Sequence, residues 1–147
     1  MKVKKSLGQN FFINENLGKY IADIISQQKC KSIIEIGPGL GFFTQKIITN
    51  FDDVTIVEKD NNLAQNLKSQ FPKALVINDD FLNINLNNIV NKDTIFFGSL
   101  PFNVSKKIIE KIIESKYFTR PAFFITQKEV AEKYIYKQPY SILSLTT

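Results

Sequence analysis

Histidine and tryptophan are absent from the 147 residues, cysteine and methionine occur once each, and Arg120 is the single arginine among nineteen basic residues. Without histidine the chain lacks the commonest general base at neutral pH and the commonest zinc ligand. Cys30 alone can form neither an internal disulfide nor a thiolate cluster. Nucleophile–histidine triads and zinc hydrolases are excluded, and no metal is expected. Long apolar runs are missing too. Lys2, Lys4 and Lys5 are followed by no apolar leader core, and no stretch approaches the roughly 20 residues that a membrane-spanning helix needs. This predicts a cytoplasmic protein with no membrane contact.

Hydrophobic residues make up 44% of the chain, enough for one domain spanning residues 1–147 to bury a core of its own. The formal charge of +5 rests almost wholly on lysine, which suits a polyanionic partner and equally suits the codon usage of an AT-rich genome. Glycine is sparse, six in all, yet three of the six stand at alternate positions in one stretch.

That stretch is Ile33-Ile34-Glu35-Ile36-Gly37-Pro38-Gly39-Leu40-Gly41, followed by Phe42 to Ile48. The β-branched run reads as a buried strand and the residues after Gly41 as a helix. Glycines at every second position let the strand turn into the helix with bare backbone amides that a nucleotide-like ligand can approach closely. The dinucleotide fingerprint requires glycine at the sixth position of G-x-G-x-x-G, which here is Phe42, so a dinucleotide is disfavoured. A ribose with two free hydroxyls is best held by a carboxylate at the end of the next strand, and Val54 to Glu58 supplies one. A third strand, Ala74 to Ile77, leads into Asp79 and Asp80, which can accept from the exocyclic amine of an adenine.

The remaining segments follow an alternating pattern. Met1 to Asn14 is basic, amide-rich and aromatic, either a docked loop or a frayed terminus. Asn14 or Asn16 can cap a helix carrying Leu17, Ile21, Ile24 and Ile25 on one face. Asn61 and Asn62 can start another with Leu63, Leu67 and Phe71 inward, ended by Pro72. Phe81 to Lys92 reads as a loop or short helix. A fourth strand, Thr94 to Gly98, precedes a helix from about Ser105 to Tyr117 with Ile108, Ile109, Ile112 and Ile113 inward and Lys106, Lys107 and Lys111 on a solvated outer face. Pro121 to Thr126 gives a fifth strand and Gln127 to Tyr136 a last helix. Strands alternating with helices argue an α/β fold with a doubly wound, mostly parallel sheet and a site at the carboxyl ends of its strands.

Between the fourth strand and its helix lies Ser99-Leu100-Pro101-Phe102-Asn103. The lone pair of an exocyclic amine is delocalised into its ring, so a reaction at that nitrogen calls for orientation more than for a strong base. A side-chain oxygen and a backbone carbonyl can accept its two N–H groups, a proline can hold both acceptors still, and a neighbouring aromatic ring can stack on the base. Ser99, Leu100, Pro101 and Phe102 have this layout.

The run Glu35 to Gly41 resembles the E-x-G-x-G-x-G motif of class I S-adenosylmethionine-dependent methyltransferases, which have a Rossmann-like fold. Together with Gln9-Asn10-Phe11, Glu58, Asp80, the Ser99 to Phe102 tetrad with Asn103-Val104-Ser105, and Gln127 to Ala131, it resembles the KsgA/Erm family of rRNA adenine dimethyltransferases over essentially the whole chain. The likeness is greatest to the KsgA branch, which dimethylates adenines of small-subunit rRNA on the immature small ribosomal subunit.

The resemblance implies S-adenosylmethionine as cofactor. Asn10 and the Phe12 backbone would close over its methionine part, with Gly37 and Gly39 against it. Glu58 would hold the ribose, and Asp80 with the Phe81 backbone would read its adenine. Ser99 and the Leu100 backbone would receive the target amine, beside a stacking Phe102. The family tetrad is usually Asn-Leu-Pro-Tyr, so two of its side chains differ here. The resemblance further implies a sheet cut short before its last two strands and the absence of a C-terminal helical domain, since the chain stops at Thr147. The expected activity is rRNA adenine dimethylation by a monomer. The alternative is a catalytically impaired donor-binding or rRNA-binding fragment of such an enzyme.

Overall fold

The computed structural model describes residues 14–135. Helix α1 (Glu15–Ser26) is capped by Asn14, whose side chain accepts from the Leu17 amide at 3.1 Å. It buries Ile21, Ala22 and Ile25 on one stripe. Five strands follow in the expected places: β1 (Ser32–Ile36), β2 (Asp53–Val57), β3 (Leu75–Ile77), β4 (Thr94–Ser99) and β5 (Ala122–Ile125). All neighbouring pairs are parallel, in the order β3-β2-β1-β4-β5. This is the expected α/β, Rossmann-like arrangement.

The connections α2 (Thr44–Ile47), α3 (Asn61–Gln70), α4 (Ser105–Ile113) and α5 (Lys128–Ile135) sort the core into two layers. One layer joins Ile33 and Phe97 of the sheet to Ile21 and Ile25 of α1, Ile47 of α2 and Leu67 of α3. The other joins Ile34, Ile36 and Phe96 to Ile108, Ile109 and Ile112 of α4 and Tyr134 of α5. From β1 the chain winds outward to β2 and β3; it then crosses back to β4 and winds the other way. A crevice is left at the carboxyl ends of β1 and β4, where an open α/β sheet receives its ligand.

Two local expectations are corrected, the start of the helix after the glycines and the solvated face of α4, and two others are made specific. The helix after the glycines begins only at Thr44, because residues 39–43 are spent on the turn, with Gly41 at φ +82° outside the helical range and Phe43 at the cap position, its ring 5.0 Å from that of Phe97. Helix α3 starts at Asn61 as expected, with Asp60 as its cap; the carboxylate accepts from Asn62 and Leu63. The segment after β3 folds into two short 3-10 turns, Phe81–Asn83 and Leu86–Asn88. The outer face of α4 is not wholly solvated. Its Lys111 is turned into the protein, donating to the carbonyls of Phe81, Leu82 and Ile84.

Candidate active site

The turn after β1 places all three glycines at positive φ, +64° for Gly37, +60° for Gly39 and +82° for Gly41. Gly37 and Gly41 are needed for different reasons. A Cβ on Gly37 would meet nothing within 4 Å, so its missing side chain opens the crevice floor. A Cβ on Gly41 would lie 2.6 Å from the Phe71 ring, so its missing side chain lets α3 close on the turn.

The glycine amides are not bare, contrary to the expectation from spacing. Gly37 donates to the Val57 carbonyl at 2.9 Å, Gly39 to the Glu58 carboxylate at 3.3 Å and Gly41 to the Pro38 carbonyl at 3.0 Å. With these donors taken and an acidic side chain beside them, the turn disfavours a phosphate group and suits a cationic or neutral ligand.

Glu58 follows β2 directly and is held at three points. Its amide donates to Ile77 at 3.0 Å and its carbonyl accepts from the Asn78 side chain at 2.9 Å. Its carboxylate also accepts from the Asp60 amide at 2.8 Å. Burial pushes its pKa up, against the hydrogen bonds from Asp60 and Gly39. Each carboxylate oxygen has a further lone pair for a ligand hydroxyl.

Past β3, the Asp80 carboxylate caps the first 3-10 turn by accepting from Leu82 at 3.0 Å and pairs with Lys59 at 2.7 Å. Burial pushes this carboxyl up, but the Lys59 and Leu82 hydrogen bonds and the charges of Lys59 and Lys111 outweigh it and hold the pKa below the ordinary value. The Phe81 amide donates to nothing among the described residues, which leaves it available to a ligand acceptor.

On the other side of the crevice, Ser99 ends β4 and its hydroxyl has no hydrogen bond among the described residues. The Leu100 amide donates to Ile125 at 2.9 Å, and the Pro101 carbonyl accepts from Val104 at 3.2 Å and Ser105 at 3.0 Å. The turn is thereby pinned while the Leu100 carbonyl stays unengaged by any described residue. The Phe102 ring stands 58% exposed at the rim.

Gly37, Gly39, Glu58, Asp80, Phe81 and the tetrad Ser99, Leu100, Pro101 and Phe102 all line one cleft of about 690 Å³. Asn10 and Phe12 lie outside the described residues. Reasoning from the sequence missed Lys59 and Lys111, which hold the Asp80 segment. Lys59 adjoins Glu58 and could have been suspected, whereas nothing in the sequence links Lys111 to carbonyls some thirty residues earlier. Gln127 also reaches the cleft, two residues beyond the end of β5.

A sequence profile of the family described as Ribosomal RNA adenine dimethylase matches residues 1–147. Ribosomal RNA small subunit methyltransferase A of Malacoplasma penetrans is 35% identical over 131 residues, covering 88% of this chain and 47% of that protein. The protein of the same name from Francisella tularensis subsp. novicida is 36% identical over 140 residues, covering 91% of this chain and 53% of its own. Among solved structures, the 23S rRNA methyltransferase ErmE superposes with a TM-score of 0.69 at 26% identity, over 84% of this chain and 50% of that one. The chain spans about half the length of the curated relatives it matches.

Proposed function

The chain belongs to the ribosomal RNA adenine dimethylase family, and from that premise we propose that it dimethylates the exocyclic amine of adenines in small-subunit rRNA during ribosome assembly, with S-adenosylmethionine as donor. The observation that carries this reading is the meeting in one cleft of a carboxylate-lined half and a pinned turn with unengaged acceptors. In this reading residues 1–147 are a donor-binding methyltransferase domain, working as a monomer in the cytoplasm on the immature small subunit.

The donor, when bound, supplies an electrophilic methyl group on a sulfonium sulfur that leaves without acid help. The work left to the chain is holding and orienting. Glu58 accepts from the ribose hydroxyls, and Gly37 and Gly39 leave room for the body of the donor. Asp80 would accept from the donor's adenine amine while the free Phe81 amide would donate to its ring nitrogen. The family resemblance assigns the methionine part to Asn10 and the Phe12 backbone. An acidic surround with occupied amides suits a sulfonium cation better than it suits a pyrophosphate. For the acceptor, the Ser99 hydroxyl and the Leu100 carbonyl take the two N–H groups of the target amine. This draws its nitrogen toward tetrahedral, and Phe102 stacks on the base.

Glu58→Ala should weaken donor binding by about 2 kcal/mol, roughly thirtyfold, because a charge-assisted contact to the ribose is lost. Unchanged affinity in calorimetry would remove Glu58 from the ribose site.

Transfer of labelled methyl groups to immature small subunits tests the function, with Ser99→Asn beside the native chain. The longer amide brings its oxygen nearer the target amine, an effect felt in the transition state, so turnover should rise several-fold at unchanged donor affinity. A native chain that binds donor but turns over only as Ser99→Asn would be the catalytically impaired module. Donor binding without transfer by either would overturn the proposed reaction.

A further inference from the structure

The ammonium of Lys111 has three N–H groups, and the structure gives each an acceptor: the carbonyls of Phe81 at 3.0 Å, Leu82 at 2.7 Å and Ile84 at 2.7 Å. The same ammonium lies 5.5 Å from the centre of the Phe81 ring. Lys111 belongs to α4, the helix that starts just after the Ser99–Asn103 turn, whereas the carbonyls belong to the segment after β3. One side chain therefore ties the element behind the acceptor half of the cleft to the segment whose start, Asp80 and Phe81, faces the donor half.

The 3-10 turn Phe81–Asn83 is only three residues long and has little of its own to keep it in shape. Inside it the Ile84 amide donates to Phe81 and the Asn83 amide to Asp80. Lys111 adds a second partner to the Phe81 carbonyl and engages those of Leu82 and Ile84, and with the backbone so curled the Phe81 N–H and the Asp80 carboxylate hold a set direction. A lysine kept only for solubility would leave its ammonium in water. Here the charged head is drawn inward, at the desolvation cost that accompanies burial, and three carbonyl dipoles offset that cost.

We propose that Lys111 is a positioning residue for base recognition in the donor site, fixing the Asp80–Phe81 segment so that it accepts an amine and donates to a ring nitrogen in one orientation. The proposal rests on the reading that this segment takes the adenine of the donor. It adds the specificity element that makes the segment discriminate. Adenine offers a donor at its amine and an acceptor at the adjacent ring nitrogen; hypoxanthine offers the reverse at both. A rigid Asp80–Phe81 pair tells them apart, and a loose one can rearrange to suit either.

The test uses calorimetry with the unreactive product S-adenosylhomocysteine and with its hypoxanthine counterpart, on the native chain, Lys111→Met, Lys111→Gln, Asp80→Ala and the double variant Lys111→Met/Asp80→Ala. The native chain should prefer the adenine compound by at least about tenfold, the worth of one well-made hydrogen bond to a charged group. Lys111→Met should lose most of that preference, and adding it to Asp80→Ala should change little, because both act through one segment. Lys111→Gln keeps two donors for the three carbonyls. It should melt near the native chain and still lose part of the preference, which covers the case in which Lys111→Met does not fold. Amide exchange at residues 81–84 should quicken in both Lys111 variants. A lower melting point with the base preference intact in Lys111→Gln would make the lysine merely structural and overturn the proposal alone. A native chain that binds neither compound, or binds both equally, would overturn the donor-site reading together with it.

Discussion

Gly41→Ala should destabilise the protein by about 3 kcal/mol, whereas Gly37→Ala should cost only about 1 kcal/mol. Both positions have positive φ, so both variants bear the conformational cost of placing an L side chain there. They differ in what the new methyl group meets. At Gly41 it would sit 2.6 Å from Cε2 of Phe71 and 3.2 Å from Leu67, so the Phe71 ring has to leave its place against the core or the turn has to lift away from α3. At Gly37 it meets open space, but that space is the crevice floor, so donor affinity should collapse while the fold survives. Urea unfolding and calorimetry on the two variants separate these effects. Equal destabilisation of both would mean that backbone strain alone sets the cost and that the Phe71 contact yields freely.

Stability should fall between about pH 4.5 and pH 7 through Glu35, and Glu35→Gln should remove the Glu35 share of that fall. Glu35 is 1% exposed in the middle of the central strand β1, its carboxylate accepting from the Thr44 hydroxyl at 2.6 Å. Burial raises its pKa from 4.5 to about 7, opposed by the Thr44 hydrogen bond and assisted by the negative charge of Glu58. In the window between those values the folded protein keeps a proton that the unfolded chain has released. Each rise in pH therefore favours unfolding, until above about pH 7 both states are ionised and the loss is complete. The span from 4.5 to about 7 corresponds to about 3 kcal/mol at 1.36 kcal/mol per unit. Glu58, whose pKa is also raised, adds to the fall, while Asp80, lowered from 3.8, acts only below this window. The comparison that isolates Glu35 is the native chain against Glu35→Gln, unfolded in urea at pH 5 and pH 8. The glutamine chain should gain relative to the native one as the pH rises, and parallel curves would show that Glu35 is ionised throughout.

Much of this architecture could be read along the chain because it depends on neighbours in sequence. The β-branched run of β1, the isoleucine stripe of α4 and the alternation of strands with helices are periodic, and periodicity follows from backbone geometry alone. In a parallel α/β sheet the carboxyl ends of the strands converge on one edge. The glycine turn, Glu58, Asp80 and Ser99 could therefore be assigned to a common crevice before any coordinate was known, as members of strand-end segments. Helix limits were less legible where a turn runs into a helix. The turn that holds Gly41 at φ +82° continues through Phe43, and α2 starts after it.

Only the tertiary structure decided how the polar groups pair. The glycine spacing is the same whether the amides are bare or occupied. That Val57 and Glu58 occupy two of them follows from β2 lying beside β1, while Pro38 takes the third within the turn itself. Helical spacing places Lys111 with Lys106 and Lys107 outside the isoleucine stripe, but it says nothing of what stands across from that outer face. The sheet order sets α4 over the turn that follows β3, so one member of the outer row meets three backbone carbonyls while its neighbours meet water. A four-carbon stem can turn inward or outward at almost equal cost, and the dipoles packed against it by the rest of the fold make the choice.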